Sequence, residues 1–430
     1  SSKSKLILSV SKSNNLLDGW WIYKLSGNPL NHSCWLDYPK LGISNNEIFV
    51  TGSLFSDLTG FSESIIFQIS KSNALIGKNL TWRLWSDIVG SPITIIPASY
   101  GQRGNYGPGL YFVTQSPTTG NSVNLYEITN ELTVNPQLTI TKIAKSEYEP
   151  SGYALQSGTS VQLITGDCKI LNAFYLDGIV HYVFQSDYQR SSYTGINYNR
   201  INVKSGTHRS YTYGQLGFDC AYPSVASYGT TASDKSVIFC FLRSGATIFP
   251  ETRAIMLDSN DTWSNSILIK SGDTYVDAFE VDNTVRWGDY SGITYKFNPS
   301  QPEIWMSGCY GSTQTLFSTK YNCFNTWIGQ IRGSILNSVE QSNESQQDLT
   351  VFPNPIIDLF SIEFNVEYSA TIHIEIHDVS GKSGSSLFNG QLKKGKNILT
   401  FNKAAFAKGV YFLTIKDDKK IIASKKLFIE

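Results

Sequence analysis

Trp35-Leu36-Asp37-Tyr38-Pro39-Lys40-Leu41-Gly42, followed by Glu47-Ile48-Phe49-Val50-Thr51, is the stretch from which the fold can be read. A turn with an acid and an aromatic leads into a short strand. A polar turn and a stronger apolar strand follow. The same order returns at Asp219-Cys220-Ala221-Tyr222-Pro223-Ser224-Val225-Ala226 with Ser236-Val237-Ile238-Phe239-Cys240, and at Trp287-Gly288-Asp289-Tyr290-Ser291-Gly292-Ile293 with Glu303-Ile304-Trp305-Met306-Ser307. A third strand comes after each, at Ser64 to Ile69, Arg253 to Leu257 and Thr326 to Ile331. Two looser units run from Ile93 to about Ala144 and from Cys168 to about Tyr213.

A unit of about 45–65 residues with short alternating strands fits one four-stranded propeller blade. Inner strands near a channel have little room and take Gly, Ala and Ser. Middle strands packed between blades take large apolar side chains. The expectation is an all-β chain: a β-propeller of six or seven blades, seven being the preferred count. Leu6 to Ser11 and Trp20 to Leu25 read as the outer two strands of a blade, so residue 1 falls mid-blade and upstream residues are expected.

Composition supports this class. Aromatics reach 13% and charged residues only 16%, a profile of strands and turns rather than helices. The 35 basic and 35 acidic residues cancel, which argues against a nucleic-acid binder working through a basic field. No stretch has the roughly 18 apolar residues of a membrane-spanning helix.

Residues 334–348 are polar and read as a linker between a body, 1–333, and a tail, 349–430. After residue 348 there is no Trp, Cys or Arg, and Lys is abundant. Seven strands can be placed in the tail, around 349–353, 359–366, 370–378, 384–392, 396–402, 409–416 and 420–429. Seven short strands in so few residues suggest a small β-sandwich of immunoglobulin-like type.

The tail resembles the type A C-terminal sorting domain of the type IX secretion system of Bacteroidetes. The resemblance rests on four marks in order: Pro353-Asn354-Pro355, Asp378-x-x-Gly381-Lys382, Gly409-Val410-Tyr411-Phe412-Leu413, and a basic apolar last strand with Lys419, Lys420, Ile421, Ile422, Lys425 and Lys426. It implies export by way of the periplasm to the cell surface. The implied partners are an outer-membrane β-barrel shuttle protein, the translocon, and a sorting protease that can attach cargo to a lipopolysaccharide. The start of the body likewise resembles the middle of a blade in large secreted Bacteroidetes propellers.

Candidate chemistry is sparse. Asp37, Asp219 and Asp289 recur at the start of inner strands and are expected at one end of the channel, as turn carboxylates or as a ligand site. His373, Glu375 and His377 share a strand face and could hold zinc, but read better as a solvated face opposite Ile372, Ile374 and Ile376. Asp273, Asp277, Glu280, Asp282 and Asp289 lack the spacing of a calcium loop. Asp258-Ser259-Asn260-Asp261-Thr262-Trp263 partly resembles the Asp-box turn of sialidases without its glycine, as do Asn79-Leu80-Thr81-Trp82 and Asn325-Thr326-Trp327. Six cysteines without a CxxC pair permit disulfides in an exported chain: Cys309 with Cys323 first, Cys168 with Cys220 second.

No metal or cofactor is expected. The sequence favours a non-enzymatic surface protein whose propeller binds a glycan or protein. The alternative is a secreted, glycosidase-like hydrolase with acids at the channel mouth. Carboxylates beside an open pocket would favour the second, and a mouth capped by loops would count against it.

Overall fold

The structure is a computed structural model, described here for residues 4–100, 106–296, 302–316, 319–333, 349–366, 368–378, 384–403, 406–417 and 421–429. The linker 334–348 lies outside the described residues, as do Gly381, Lys382, Lys419 and Lys420. The chain forms two compact units, 1–337 and 338–430.

The first unit is a β-propeller of consecutive antiparallel sheets. Blade A holds strands Trp35–Ile43, Glu47–Ser56, Gly60–Ser70 and Trp82–Trp85 in that order. Blade B holds Ile96–Pro97, Leu110–Thr114, Gly120–Ile128 and Leu138–Tyr148. Blade C holds Asn172–Leu176, Ile179–Asp187, Thr194–Asn202 and His208–Tyr213, with the short strand Ser99–Tyr100 added in parallel beside Asn172–Leu176, and blade D holds Asp219–Ser227, Val237–Gly245, Ile248–Leu257 and Ile267–Lys270. Blade E has three strands among the described residues, Gly292–Tyr295, Glu303–Leu316 and Thr319–Arg332. Lys5–Ser11 and Trp20–Ser26 pair only with each other.

Each seam between sheets is a separate apolar cluster. Phe49 and Ile66 of blade A meet Phe112, Tyr126 and Ile128 of blade B, with Phe49 edge-on to Phe112 at 5.7 Å. Val123 and Ile143 of B meet Val180, Tyr182 and Phe184 of C. Val183, Ile196 and Tyr198 of C meet Val225, Phe239 and Ile255 of D. Ile238, Cys240 and Met256 of D meet Ile304 and Met306 of E. The hairpin 5–26 puts Leu6, Leu8 and Tyr23 against blade A. A middle strand is covered on both faces, so Ile179–Ser186 is buried at every position, including His181, Gln185 and Ser186. This is why such strands lose the apolar/polar alternation of a half-exposed sheet.

The cysteines correct an expectation. All six are free thiols. Cys309 lies opposite Thr326, and Cys323 lies opposite Ser312. The two are therefore three register positions apart, about 10 Å along the strands and on opposite faces. That exceeds the roughly 7 Å a disulfide can span between Cα atoms. Cys168 sits in the B–C seam and Cys220 in the C–D seam, so they do not meet either. Burial pushes the thiols of Cys168, Cys220, Cys240 and Cys309 up to about 12, so all four are neutral at pH 7.

The second unit has two sheets over one core. One sheet is Thr350–Phe352, Leu359–Val366 and Gly395–Asn402; the other is Gly384–Leu392, Ala370–Asp378, Gly409–Lys416 and Ile421–Ile429. Phe360, Ile362, Phe364 and Val366 face Ile372, Ile374, Ile376, Leu413, Ile415 and Leu427.

Candidate functional site

Two places bring functional side chains together, one in each unit.

In the body, the frame is set by a repeated bulge. Asp37 lies opposite Ser53 and Lys40 opposite Thr51, so Tyr38 and Pro39 together oppose the single residue Gly52. Ala221 lies opposite Leu242 and Ser224 opposite Cys240, so Tyr222 and Pro223 oppose Phe241 in the same way. Both tyrosines take positive φ, 53° and 50°. Proline suits the bulge because it has no N–H to lose from the ladder. A bulky residue at positive φ costs about 1–3 kcal/mol and is held only by its surroundings.

Those surroundings form one cluster. Tyr38 stacks on Tyr290 with ring centroids 5.1 Å apart, joining blade A to the segment that enters blade E. The Lys40 ammonium lies over both rings, 4.3 Å from Tyr38 and 4.4 Å from Tyr290. Lys169 lies 5.4 Å from the Tyr38 ring and pairs with Asp167 at 3.2 Å. Arg286 pairs with both carboxylate oxygens of Asp289. The Tyr222 hydroxyl donates to the Ile164 carbonyl at 2.8 Å. Tyr290 is half-exposed and Asp37 is exposed, so the cluster opens to solvent.

A lid packs beside it. Strands Gln162–Ile164 and Thr284–Arg286 pair in parallel. Gln156 ties the two segments, donating to the carbonyls of Val161 and Val276 at 2.9 Å and accepting from the Val276 N–H at 2.8 Å. Trp287 is fully buried beneath them, with Ala154, Leu163, Tyr222, Val276 and Val285.

Burial lowers the Lys40 amine to about 8, helped by Lys169 and opposed by Asp289. Burial, then Tyr290, Asp167 and Asp289, holds the Tyr38 phenol far above its ordinary value. Between about pH 8 and the ordinary lysine value of 10.5, folded Lys40 is neutral while the unfolded chain keeps its proton. The unfolded state then binds more protons, so this group's contribution makes stability rise with pH across that window. Lys40 is expected to be acylated with a midpoint near pH 8, read by peptide mass spectrometry. A midpoint at 10.5 would show that its amine is not desolvated.

The three candidate acids do not assemble as expected. Asp37 and Asp289 both act on Tyr290 and Arg286 and so share this end. Asp219 is buried elsewhere, accepting from the Thr194 N–H at 2.9 Å, and burial raises it to about 6. The bulge explains the error: Asp37 corresponds to Ala221, with Asp219 two residues earlier. Asp258 is a turn carboxylate, accepting from the N–H groups of Asn260 and Thr262 at 2.9 and 2.8 Å. The sequence reading missed Tyr38, Lys40 and Tyr222. Their signal was the repeated Tyr-Pro pair, which was read for its acid.

In the tail, the first and last marks come together. The Asn354 side-chain oxygen accepts from the Phe428 N–H at 2.8 Å, and the Ile356 N–H donates to the Phe428 carbonyl at 2.7 Å. The Lys425 ammonium donates to the Leu349 carbonyl at 2.8 Å. Pro353 and Pro355 both follow cis peptide bonds. Strand Gly409–Lys416 lies between Ala370–Asp378 and Ile421–Ile429, with Tyr411 opposite both Asp378 and Leu427. Ile422 packs against the core. On the outer face Glu375 pairs with Lys416 at 2.8 Å and with His377 at 3.3 Å, and the Lys416 contact holds its carboxyl below the usual range. Removing the acceptor with Asn354→Ala is expected to cost the tail about 1 kcal/mol and reduce export, measured by denaturation and by surface-to-cell ratio. Unchanged values in both would show that this bond does not fix the last strand.

Residues 350–430 match the family model of the secretion system C-terminal sorting domain. The body is thus a propeller and the tail a sorting domain. The protein is an exported cargo of the type IX secretion system. No curated protein matches the chain. Among solved structures, the Trypanosoma rangeli sialidase in complex with sialic acid is similar at 10% identity and TM-score 0.39, over 99% of this chain and 86% of that one. The phage phi92 endosialidase is similar at 9% identity and TM-score 0.31, over 81% and 56%. Likenesses this distant carry no argument about activity.

Proposed function

We propose that the propeller is a non-enzymatic binding module, displayed on the surface of a Bacteroidetes cell. Its sorting domain engages an outer-membrane shuttle protein and translocon, and a sorting protease then removes the domain. The observation supporting a binding role is the Tyr38–Lys40–Tyr290 stack between blade A and the segment entering blade E. The half-exposed Tyr290 ring, backed by Tyr38, offers an apolar surface for a sugar ring or a protein side chain. Two of the three neighbouring acids are ion-paired, Asp289 with Arg286 and Asp167 with Lys169, while Asp37 is exposed. A carboxylate held ionised by a neighbouring cation is a poor general acid.

The test is a glycan array with the full chain, run beside a hydrolysis screen of the ligands that bind. Binding without product is expected, weakened at least tenfold by Tyr290→Ala. Released sugar at enzymatic rates would overturn the reading in favour of a hydrolase.

A further inference from the structure

The seam between blades C and D changes character toward one end. One face of blade C carries Val183, Ile196 and Tyr198 into the apolar seam. Farther along the same face stand His181, Arg200 and Arg209. His181 lies opposite Arg200, and Arg200 lies opposite Arg209, so the three form a row across three strands. Like charges directly opposite on adjacent strands are destabilising when nothing neutralises them.

Only part of this charge is neutralised. The Arg200 guanidinium bonds Asp261 at 2.5 Å, the hydroxyls of Tyr198 and Tyr211 at 3.0 and 3.1 Å, and the Lys235 carbonyl at 3.2 Å. Asp261 is engaged through both oxygens, the second accepting from the Tyr211 hydroxyl at 2.8 Å. No carboxylate among the described residues pairs with the Arg209 guanidinium or the Lys235 ammonium. His181 cannot help: Nδ1 meets the Tyr198 hydroxyl, Nε2 is buried without a partner, and burial with Arg200 and Lys235 nearby keeps the ring neutral.

These cations surround a cavity of about 220 Å³, lined by Ile179, Arg200, Asn202, Thr207, Arg209 and Lys235. Ile179 supplies an apolar wall, Asn202 and Thr207 supply polar groups, and three cationic side chains supply donors. The volume is below the roughly 300–1,000 Å³ of sites for drug-sized ligands, so it suits one compact ring with one charged substituent. In a chain whose formal charge is zero, this local excess is positional.

We infer that the C–D seam holds a binding site for an acidic sugar, whose carboxylate or sulfate ester is gripped by Arg209 and Lys235, with the one remaining N–H of Arg200 beside them. Charge-assisted hydrogen bonds of this kind are about twice as strong as neutral ones. The site lies apart from the Tyr38–Tyr290 stack and does not depend on ligand binding there.

Calorimetric titration of the full chain at low ionic strength tests it, using glucuronate, glucose 6-sulfate, glucose and sodium sulfate. Glucuronate or glucose 6-sulfate should bind and glucose should not; the stronger of the two identifies the charged group. The exposed pair Arg209→Gln with Lys235→Gln should weaken binding at least tenfold without changing the circular dichroism, and Tyr290→Ala should leave it unchanged. Equal binding of glucose, silence with both acidic sugars, or full binding by the double variant would overturn the site. Sodium sulfate binding as tightly as the acidic sugars would overturn its assignment to a sugar.

Discussion

A chain lacking residues 349–430 is expected to fold its body and fail to leave the periplasm. The body and the tail are separate compact units, and the tail has its own core from Phe360 to Leu427. Every blade seam lies within the body, so the deletion exposes none of them. The signal read by the secretion machinery is the part removed. Cell-surface protein should fall at least a hundredfold, while a protease-resistant body accumulates inside the outer membrane. Surface-exposed protein at wild-type levels would show that the tail is not the export signal.

Trp287→Ala should be the most damaging single change near the Tyr38–Tyr290 stack. The indole is fully buried, edge-on to Tyr222 at 6.3 Å, and joins residues from the lid, blade D and blade E. Truncating a buried Trp costs about 3–5 kcal/mol, from lost transfer energy and the cavity left behind. Tyr222 holds a strained positive φ only through such packing, so the bulge should loosen with it. Trp287→Phe should recover much of the loss, because the indole Nε1 is buried without a partner and its removal leaves no donor unpaired. Urea denaturation reads both variants. An unchanged midpoint for Trp287→Ala would mean the lid and blades do not depend on this side chain.

The tail was legible because its strands are half-buried. Ile372, Ile374 and Ile376 alternate with His373, Glu375 and His377, and the expected strands fall within a residue or two of those found. The blades were legible from their order of small inner strand, turn and apolar middle strand. What was not legible depends on register or on closure. Cys309 and Cys323 looked like a pair until Leu316 was found opposite Thr319, which offsets them by three positions. Lys40 lies over two rings 252 positions apart in the chain, Tyr38 and Tyr290, which meet only when blade A and blade E are both in place. Arg200, Arg209 and Lys235 carry no motif. Their convergence follows from strand pairing within blade C and from its seam with blade D.

The clamp between Asn354 and Phe428 gives the tail an order of assembly. Its opening segment is fastened to its closing strand, and Leu427 and Ile429 complete its core. A tail cut short before those residues loses the clamp and the last part of its core together, so truncation from this side is expected to unfold the sorting domain rather than trim it.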